Sequence, residues 1–185
     1  MSPLFEVPES EMQPGPRQLL PTRRYLGDLD EATIQASEKN AEWQGIRVTF
    51  NNLTTEDSET IVIAMIQGNE SQINLSDRGH SAIFTTQGSS KSVKIAAQQL
   101  AKLAQVLGVG EWAQRNDQRV WSVPGETPEE VVEALNEHRG TRIGFSVKQR
   151  VRKSGGEVVT NEQGEPILSD DINYFFALGE GNAPA

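Results

Sequence analysis

One stretch of the sequence concentrates side chains that are able to bind an anionic ligand. Residues 141–153 read TRIGFSVKQRVRK and hold five of the chain's 17 basic residues and none of its 26 acidic ones, within a net charge of −9. Apolar and basic residues alternate here, and a period of two predicts a β-strand with one buried and one cationic face. The predicted buried face carries Ile143, Phe145, Val147 and Val151, interrupted by Gln149, and the cationic face carries Arg142, Lys148, Arg150 and Arg152. Either these cations bind phosphates, or they form a solvated face that protects an edge strand from aggregation.

Patterns of catalytic chemistry are missing from the rest of the sequence. The chain has no cysteine, which excludes disulfides, thiolate catalysis and cysteine-ligated zinc. Its two histidines, His80 and His138, have no second histidine three or four residues away, so zinc-binding spacing is absent. The sequence contains no GxxxxGK[ST], GxGxxG or GxSxG motif. We therefore predict that the protein is not an enzyme, that it has no catalytic residue, and that it binds neither a metal nor a cofactor.

Length and charge narrow the class of protein further. A chain of 185 residues is long enough for one domain with its own core plus appendages. An acidic chain is poorly suited to coating duplex nucleic acid over its whole surface, but one basic groove on an acidic body is compatible with its charge. No apolar run approaches the roughly 20 residues that span a membrane, and the N-terminus lacks the features of a signal peptide. We predict a cytoplasmic protein without a membrane partner.

The distribution of proline and of periodic patterns divides the chain into three segments. Residues 1–20 contain four prolines and no periodicity. They are predicted to form an extended, Pro-rich N-terminal arm that docks through Leu4–Phe5 or Leu19–Leu20. Residues 21–178 are predicted to form the folded domain, and residues 179–185 a flexible tail.

Period-two patterns predict the remaining strands. The first covers 21–37, where the alternation shifts phase near 27–30 and indicates a bulge. A short strand is predicted over 46–50. The run IVIAMI at 61–66 is apolar at every position, which predicts a strand buried on both faces. Short strands are also predicted near 73–75 and 83–86, and the last strand covers 171–178, with one face formed by Ile172, Tyr174, Phe176 and Leu178.

Two helices are predicted between these strands. The first begins near Ser90 or Ser92 and stops at Gly108, because a helical spacing of apolar residues runs between them. Its predicted buried face holds Val93, Ala97, Leu100, Leu103 and Leu107. Residues 127–130 read TPEE, a capping box that begins a second helix ending at Gly140. Trp112 and Trp121 fall in the connection, which is predicted to be irregular, and are expected to pack the helices onto the sheet.

The order of these elements predicts a fold that is mainly β with helices, of the α+β class. Five strands with helices between the third and the fourth match the plan of the OB-fold. We predict an OB-like five-stranded barrel with a two-helix insertion before the last strands. The alternative is a generic α+β sheet with helices on one face.

The chain also resembles a known family through a series of short patterns. They read LPxxxY at 20–25, AxIxxS at 32–37, GIxVxF at 45–50, IAAQQLxxLxxxLGV at 95–109 and GxxIxFxVxxxV at 140–151. This layout is similar to that of phage-encoded single-stranded DNA-binding proteins of the OB type. The resemblance implies a sequence-tolerant single-stranded DNA-binding protein that supports DNA replication or recombination in the cytoplasm of a host cell. Unlike many phage proteins of this kind, the chain lacks a dense acidic run in its tail.

A phosphate track is expected along the basic strand and its neighbours. The residues predicted to contact single-stranded DNA are Arg142, Lys148, Arg150, Arg152, Lys153, Arg47, Arg23 and Arg24. Trp43, in a polar turn, either stacks on a base or folds onto the end of the barrel. The alternative function is a structural or assembly protein of a virion or another homo-oligomer. In that case the N-terminal arm and the basic strand would contact neighbouring subunits.

Overall fold

The chain folds into a mainly β structure with two helices, as predicted. The computed structural model describes residue 6 and residues 19–36, 44–66, 69–154, 156–160, 162 and 164–178. The long strands are β1 (Arg23–Ala36), β2 (Gln44–Thr55), β5 (His80–Thr85), β8 (Arg142–Val151) and β11 (Leu168–Phe176). The short strands are β3 (Ile61–Ile66), β4 (Asn69–Asn74), β6 (Glu111–Arg115), β7 (Gln118–Ser122), β9 (Lys153–Ser154) and β10 (Glu157–Val158). The helices are α1 (Ser90–Leu107) and α2 (Pro128–Asn136).

The five long strands form one antiparallel sheet in the order β11-β8-β1-β2-β5. The predicted bulge in β1 is confirmed by register shifts between Leu26 and Asp28 and between Leu29 and Glu31. No β-ladder joins the two outer strands, β5 and β11, within the described part of the chain, so the sheet is open there. Helix α1 packs against both outer strands and so lies across this opening.

Each strand of the sheet places one aromatic ring in the core. The rings form a continuous chain of neighbours, with centroids 5.3–6.1 Å apart. In order, this chain of rings is Tyr25, Phe145, Phe50, Phe175 and Phe84. Phe175 of β11 contacts Phe50 and Phe84 of the strands on the far side of the sheet, so the sheet curls until its two outer strands face each other. At Gly27 an added Cβ would come within 2.8 Å of the Leu53 side chain and 3.2 Å of the Phe145 ring, so a larger residue there would displace core side chains.

The alternation predicted for the basic strand is confirmed over most of its length. Ile143, Phe145 and Val147 are buried in the core. Val151, predicted to be buried, is instead 42% exposed. The reason is that β8 runs beyond β1, whose last paired residue is Arg23 opposite Val147, so Val151 has left the core.

The prediction that residues 61–66 are buried on both faces is wrong. Val62 and Ala64 are buried, but Ile61, Ile63 and Met65 are exposed. The strand pairs only with β4, in a two-stranded ribbon that turns one face to the core. An all-apolar run does not distinguish this arrangement from a central strand.

The face predicted for the last strand is confirmed for Tyr174 and Phe176, whose rings are neighbours 6.0 Å apart, and is wrong for Ile172 and Leu178. A bulge between Ile172 and Tyr174 shifts the phase of β11, so that Phe175 enters the core. Phe176 lies on the opposite face, against Gly144, where even a methyl group would overlap its ring. Leu178 is half exposed and follows the end of the strand.

Helix α1 has the predicted ends and a slightly different buried face. Ser89 is its N-cap, and Gly108 ends it with a left-handed φ of 82°. Its buried residues are Ala96, Leu103, Ala104 and Leu107, whereas Ala97, predicted to be buried, is exposed and Val93 and Leu100 are partly buried. Helix α2 begins at the predicted cap, where the Thr127 hydroxyl accepts from the Glu130 N–H, but it ends at Asn136 rather than Gly140. Among the described residues, no helix has the length and apolarity needed to cross a bilayer.

Trp112 and Trp121 lie in a β-hairpin rather than in the irregular connection that was predicted. Strands β6 and β7 pair antiparallel, with Trp112 opposite Trp121 and a turn at Asn116–Asp117 with positive φ at both residues. Trp121 is partly buried, and its indole N–H donates to the Val109 carbonyl at 2.9 Å. The packing role predicted for Trp112 is wrong, because its ring is 45% exposed and is covered by the Arg119 guanidinium.

Replacing Leu103 by alanine tests the buried face of α1. Leu103 is fully buried, so Leu103→Ala is expected to lower the free energy of unfolding by about 2–5 kcal/mol, measured by urea denaturation. Ile95→Ala is the control on the same helix. Ile95 is 46% exposed, so this change should alter stability by no more than about 0.5 kcal/mol. Equal losses in the two variants would show that the helix packs through another face.

Candidate nucleic-acid interface

A groove of about 760 Å³ lies beside the opening between the outer strands of the sheet. Residues of β2, β5, α1 and β11 and of the end of β8 line it. Four of the predicted binding residues meet here: Arg47, Arg150, Arg152 and Lys153. They come from two parts of the sequence about 100 residues apart, which meet because the curl of the sheet brings β5, the neighbour of β2, opposite β11, the neighbour of β8. We refer to this region as the basic groove.

Backbone pairing beyond the main sheet positions the cations of the basic groove. Strand β8 continues past β1 but remains paired with β11, ending with Val151 opposite Leu168. The next residue, Arg152, donates its N–H to the Ile167 carbonyl at 2.8 Å and accepts at its own carbonyl from the Val159 N–H at 2.9 Å. Lys153 is held by the β9–β10 ribbon, opposite Val158. The basic segment is therefore an ordered wall of the groove rather than a loose loop.

The basic groove also has apolar and acidic lining residues. Ile83 of β5, which pairs with Arg47 of β2, is 52% exposed, and Val151 is exposed beside the cations. Asp171 lines the groove and accepts a hydrogen bond from the Ser169 hydroxyl at 3.0 Å. The Arg150 guanidinium donates to the side-chain carbonyl of Asn173 at 2.7 Å, which fixes its direction.

A polar network forms the floor of the basic groove. The carboxylate of Asp170, which is only 3% exposed, accepts from the Leu20 N–H at 2.9 Å and from the Arg78 guanidinium at 3.4 Å. The His80 Nε2 lies 2.8 Å from the Asp170 carbonyl oxygen and so connects β5 to β11. Gln149 donates its side-chain amide to the Leu20 carbonyl at 3.0 Å. Both backbone groups of Leu20 are thus bonded, and its side chain is buried at the predicted docking point.

Burial raises the pKa of Tyr25, which lies next to this network, well above its usual value. The side chain is fully buried, so its charged form would lose hydration, and this outweighs the opposite effect of the nearby Arg23 and Arg78. The Tyr25 hydroxyl donates to the Pro21 carbonyl at 2.8 Å. The tyrosine thus ties the chain that enters β1 to the sheet and remains protonated while the protein is folded.

Arg142, predicted to bind phosphate, does not line the basic groove, and its guanidinium is bonded within the protein. One guanidinium nitrogen donates to Asp28 at 2.9 Å and to the Asn52 carbonyl at 3.0 Å, and the other donates to the Thr54 hydroxyl at 2.7 Å. These bonds hold β8, β1 and β2 together at the far end of the basic strand. The sequence did not reveal them because Asp28 is 114 residues away.

Three further predicted cations also lie outside the basic groove. Arg24 is ion-paired with Glu56 at 3.3 Å and stacks its guanidinium 3.9 Å from the centroid of the Phe176 ring. Arg23 lies 3.6 Å from Glu59. Lys148 is exposed, and its partner across the strand pair is Asp171. The predicted stacking residue, Trp43, lies outside the described residues, as does almost all of the predicted arm and the whole predicted tail.

His80, Asp170 and Ile83 belong to the groove but were not predicted as site residues. In the sequence, the polar Gln149 interrupts the apolar face of β8. A polar residue at an inward position needs a hydrogen-bond partner, so this interruption was the available signal of a polar site. The described residues include no group of three histidine, aspartate or glutamate side chains arranged to hold a metal ion. What the groove offers is cationic side chains on an ordered backbone, which suits anion binding.

Alkaline titration tests the environment of Tyr25. In a Tyr174→Phe variant, Tyr25 is the remaining tyrosine of the chain's two. Its absorbance should show no tyrosinate until the protein unfolds. Stability should fall as the pH rises past about 10, because the unfolded state then releases a proton that the folded state retains. Ionisation near pH 10 with intact circular dichroism would contradict this assignment.

Denaturation of Arg142 and Arg152 variants tests the division between structural and groove cations. Arg142→Ala is expected to lower the free energy of unfolding by about 1–2 kcal/mol, because it removes the bonds that the guanidinium donates to Asp28, to Thr54 and to the Asn52 carbonyl. Arg152→Ala removes the same charge from an exposed position and should stay within about 0.5 kcal/mol of the parent. If Arg142→Ala is as stable as Arg152→Ala, the bonds of Arg142 to β1 and β2 contribute nothing to the stability of the fold.

Comparison with known proteins assigns no family to this geometry. A scan against protein-family models finds no match for the chain, and a search of curated proteins finds none either. The resemblance to phage single-stranded DNA-binding proteins therefore remains a prediction based on sequence pattern.

Proposed function

We propose that the protein binds single-stranded DNA, without strong sequence preference, along the basic groove. We further propose that its curled sheet is an OB-like barrel that is left open between β5 and β11. The observation that carries both proposals is the meeting of Arg47, Arg150, Arg152 and Lys153 in one groove of an otherwise acidic chain. OB-folds are partly open five-stranded barrels that bind oligonucleotides on a sheet face and its adjoining loops.

The spacing of the groove cations suits a single strand. Arg150 and Arg152 are two residues apart in an extended segment, so their Cα atoms lie about 6.6 Å apart. This is close to the separation of successive phosphates in an extended strand, so neighbouring phosphates can each contact one cation. Lys153 and Arg47 add two further cations to the lining of the groove. A sequence-independent charge contact of this kind accounts for tolerance of sequence.

The apolar residues of the groove favour contact with unpaired bases. Ile83 and Val151 are exposed between the cations and can pack against sugars and bases that are not stacked in a duplex. No tryptophan, tyrosine or phenylalanine appears among the described residues that line the groove. Binding should therefore derive mainly from phosphate contacts and should depend strongly on salt. In the cell, such a protein would cover single strands that form during replication or recombination of DNA, as the family resemblance implies.

Salt titration of a groove variant tests the proposal. Fluorescence anisotropy with labelled oligo-dT should give a log–log salt dependence of about −0.7 per phosphate contact. The triple variant Arg47→Ala/Arg150→Ala/Arg152→Ala removes three contacts, so the slope should flatten by about 2 units. Binding to oligo-dA and to mixed sequences should weaken to the same extent as binding to oligo-dT.

A matched variant controls for net charge. Lys91→Ala/Lys102→Ala/Arg115→Ala removes three exposed cations that do not line the groove. It should retain the slope and nearly all the affinity of the parent, because none of the three side chains lines the groove. If the two triple variants bind alike, or if the parent does not bind oligo-dT at low salt, the groove is not a nucleic-acid site. The assembly function would then be the better explanation of the basic strand.

A further inference from the structure

Strand β3 presents the most continuous apolar surface of the described residues. Ile61, Ile63 and Met65 are 51%, 51% and 65% exposed and lie at alternate positions on its outer face. The strand itself, IVIAMI, carries no charge, and Glu70 is the one charged residue in its partner β4. A half-exposed isoleucine alone is ordinary, but three large apolar side chains in a row on one strand indicate an interaction surface.

The backbone of the same three residues also faces outward. The Thr60 carbonyl accepts from the Leu75 N–H at 2.6 Å, just before the first β3–β4 pair, Ile61 opposite Asn74. Hydrogen-bonded and non-hydrogen-bonded pairs alternate along an antiparallel ladder. Since Thr60 is bonded to Leu75, every second residue after it also hydrogen-bonds to β4, and these residues include Val62 and Ala64. Ile61, Ile63 and Met65 therefore direct their N–H and C=O groups away from β4, towards an edge on which no described strand pairs.

We propose that this edge binds β3 of a second copy of the chain, in antiparallel pairing around a two-fold axis. A β-strand is the one partner that satisfies the outward backbone groups and covers apolar side chains at the same residues. An uncharged strand also gives two acidic chains a place to approach without repulsion. The edge has none of the features that prevent such pairing, such as a lysine, a proline or a bulge.

The pattern of exposed residues selects one register. An antiparallel pair centred on Ile63 places Ile63 opposite its own copy and Ile61 opposite Met65. In this register every exposed apolar side chain faces another one. A shift of one residue would place the exposed face of one strand against the core-facing side chains of the other. Shifts of two residues would leave Met65 or Ile61 without an apolar partner.

The resulting interface is a four-stranded sheet, β4-β3-β3-β4, that crosses the two subunits. Its contact area is small, because it involves one short strand from each copy. Interfaces at the low end of the size range are typical of weak or transient association. Self-association is therefore expected to depend on concentration rather than to be permanent.

Sedimentation or light scattering across a dilution series tests this dimer with the full chain. The parent should shift from monomer to dimer between micromolar and near-millimolar concentrations. Ile63→Lys should remain a monomer throughout, because it buries a charge at the centre of the pairing. Ile95→Lys places the same charge on an exposed isoleucine of α1 and should dimerise like the parent. A parent that stays monomeric, or an Ile63→Lys variant that dimerises normally, would refute the proposal.

Single cysteines test the register, since the natural chain contains none. Ile63→Cys should form a disulfide-linked dimer on mild oxidation, because residue 63 pairs with its own copy. Gln72→Cys lies directly opposite residue 63 within the same hairpin but away from the proposed edge, and it should not cross-link. Efficient cross-linking of Gln72→Cys alone would indicate packing through another surface and would overturn the edge-to-edge dimer.

The dimer proposal does not depend on the proposed nucleic-acid function. Ile63→Lys should bind a short oligo-dT with the affinity of the parent, because β3 does not line the basic groove. The groove triple variant should dimerise normally. Loss of dimerisation and loss of DNA binding are therefore separate outcomes, and either proposal can fail while the other holds.

Discussion

The five aromatic rings of the core are the constraint on which the rest of the structure depends. One ring comes from each long strand, and the ring of β11 must reach those of β2 and β5 on the far side of the sheet. A flat sheet cannot satisfy these contacts, so the sheet must curl. Aromatic pairs in such arrangements contribute about 0.5–1.5 kcal/mol each beyond the area that they bury. The bulge in β11 belongs to the same requirement, because it turns Phe175 inward.

The curl brings β5 and β11 together without pairing their backbones. The opening that remains has to be closed by side chains, and this explains the contacts across it. Helix α1 covers part of it, and the His80–Asp170 contact spans another part. A buried carboxylate is costly unless it is bonded to donors, and Asp170 has the Leu20 N–H and the Arg78 guanidinium. The proposed binding groove lies directly over this polar floor, so stability and recognition share the same few residues.

Local patterns in the sequence were sufficient for some features of the fold. The bulge in β1, the caps of both helices and the inward face of β8 all follow from residues within a few positions of one another. Features that depend on distant partners were not predictable in this way. The Arg142–Asp28 pair, the half-exposed β3 and the phase of β11 are determined by which strands happen to be neighbours. The same limit applies to the site, where Arg47 and Arg150 meet only because the curl of the sheet brings β5 opposite β11.

Several basic residues that have no acidic neighbour in the sequence have one in the folded structure. Arg23, Arg24 and Arg142, predicted to contact DNA, have acidic partners: Glu59 and Glu56 in the connection between β2 and β3, and Asp28 in β1. Three of the four groove cations, Arg150, Arg152 and Lys153, lie beyond the end of β1, and the fourth, Arg47, belongs to β2. The extension of β8 past β1 thus positions most of the positive surface.

The anchoring of Leu20 has a consequence for how the chain can be extended. Because the Leu20 N–H donates a hydrogen bond to the Asp170 carboxylate, the chain is anchored at residue 20 to the floor of the groove. Any group attached through a short flexible connection ahead of residue 19 would experience the groove at an effective concentration on the order of millimolar. A dye attached there would report on binding in the groove. The same dye attached after Leu178 would start from the end of β11 that is farther from Asp170.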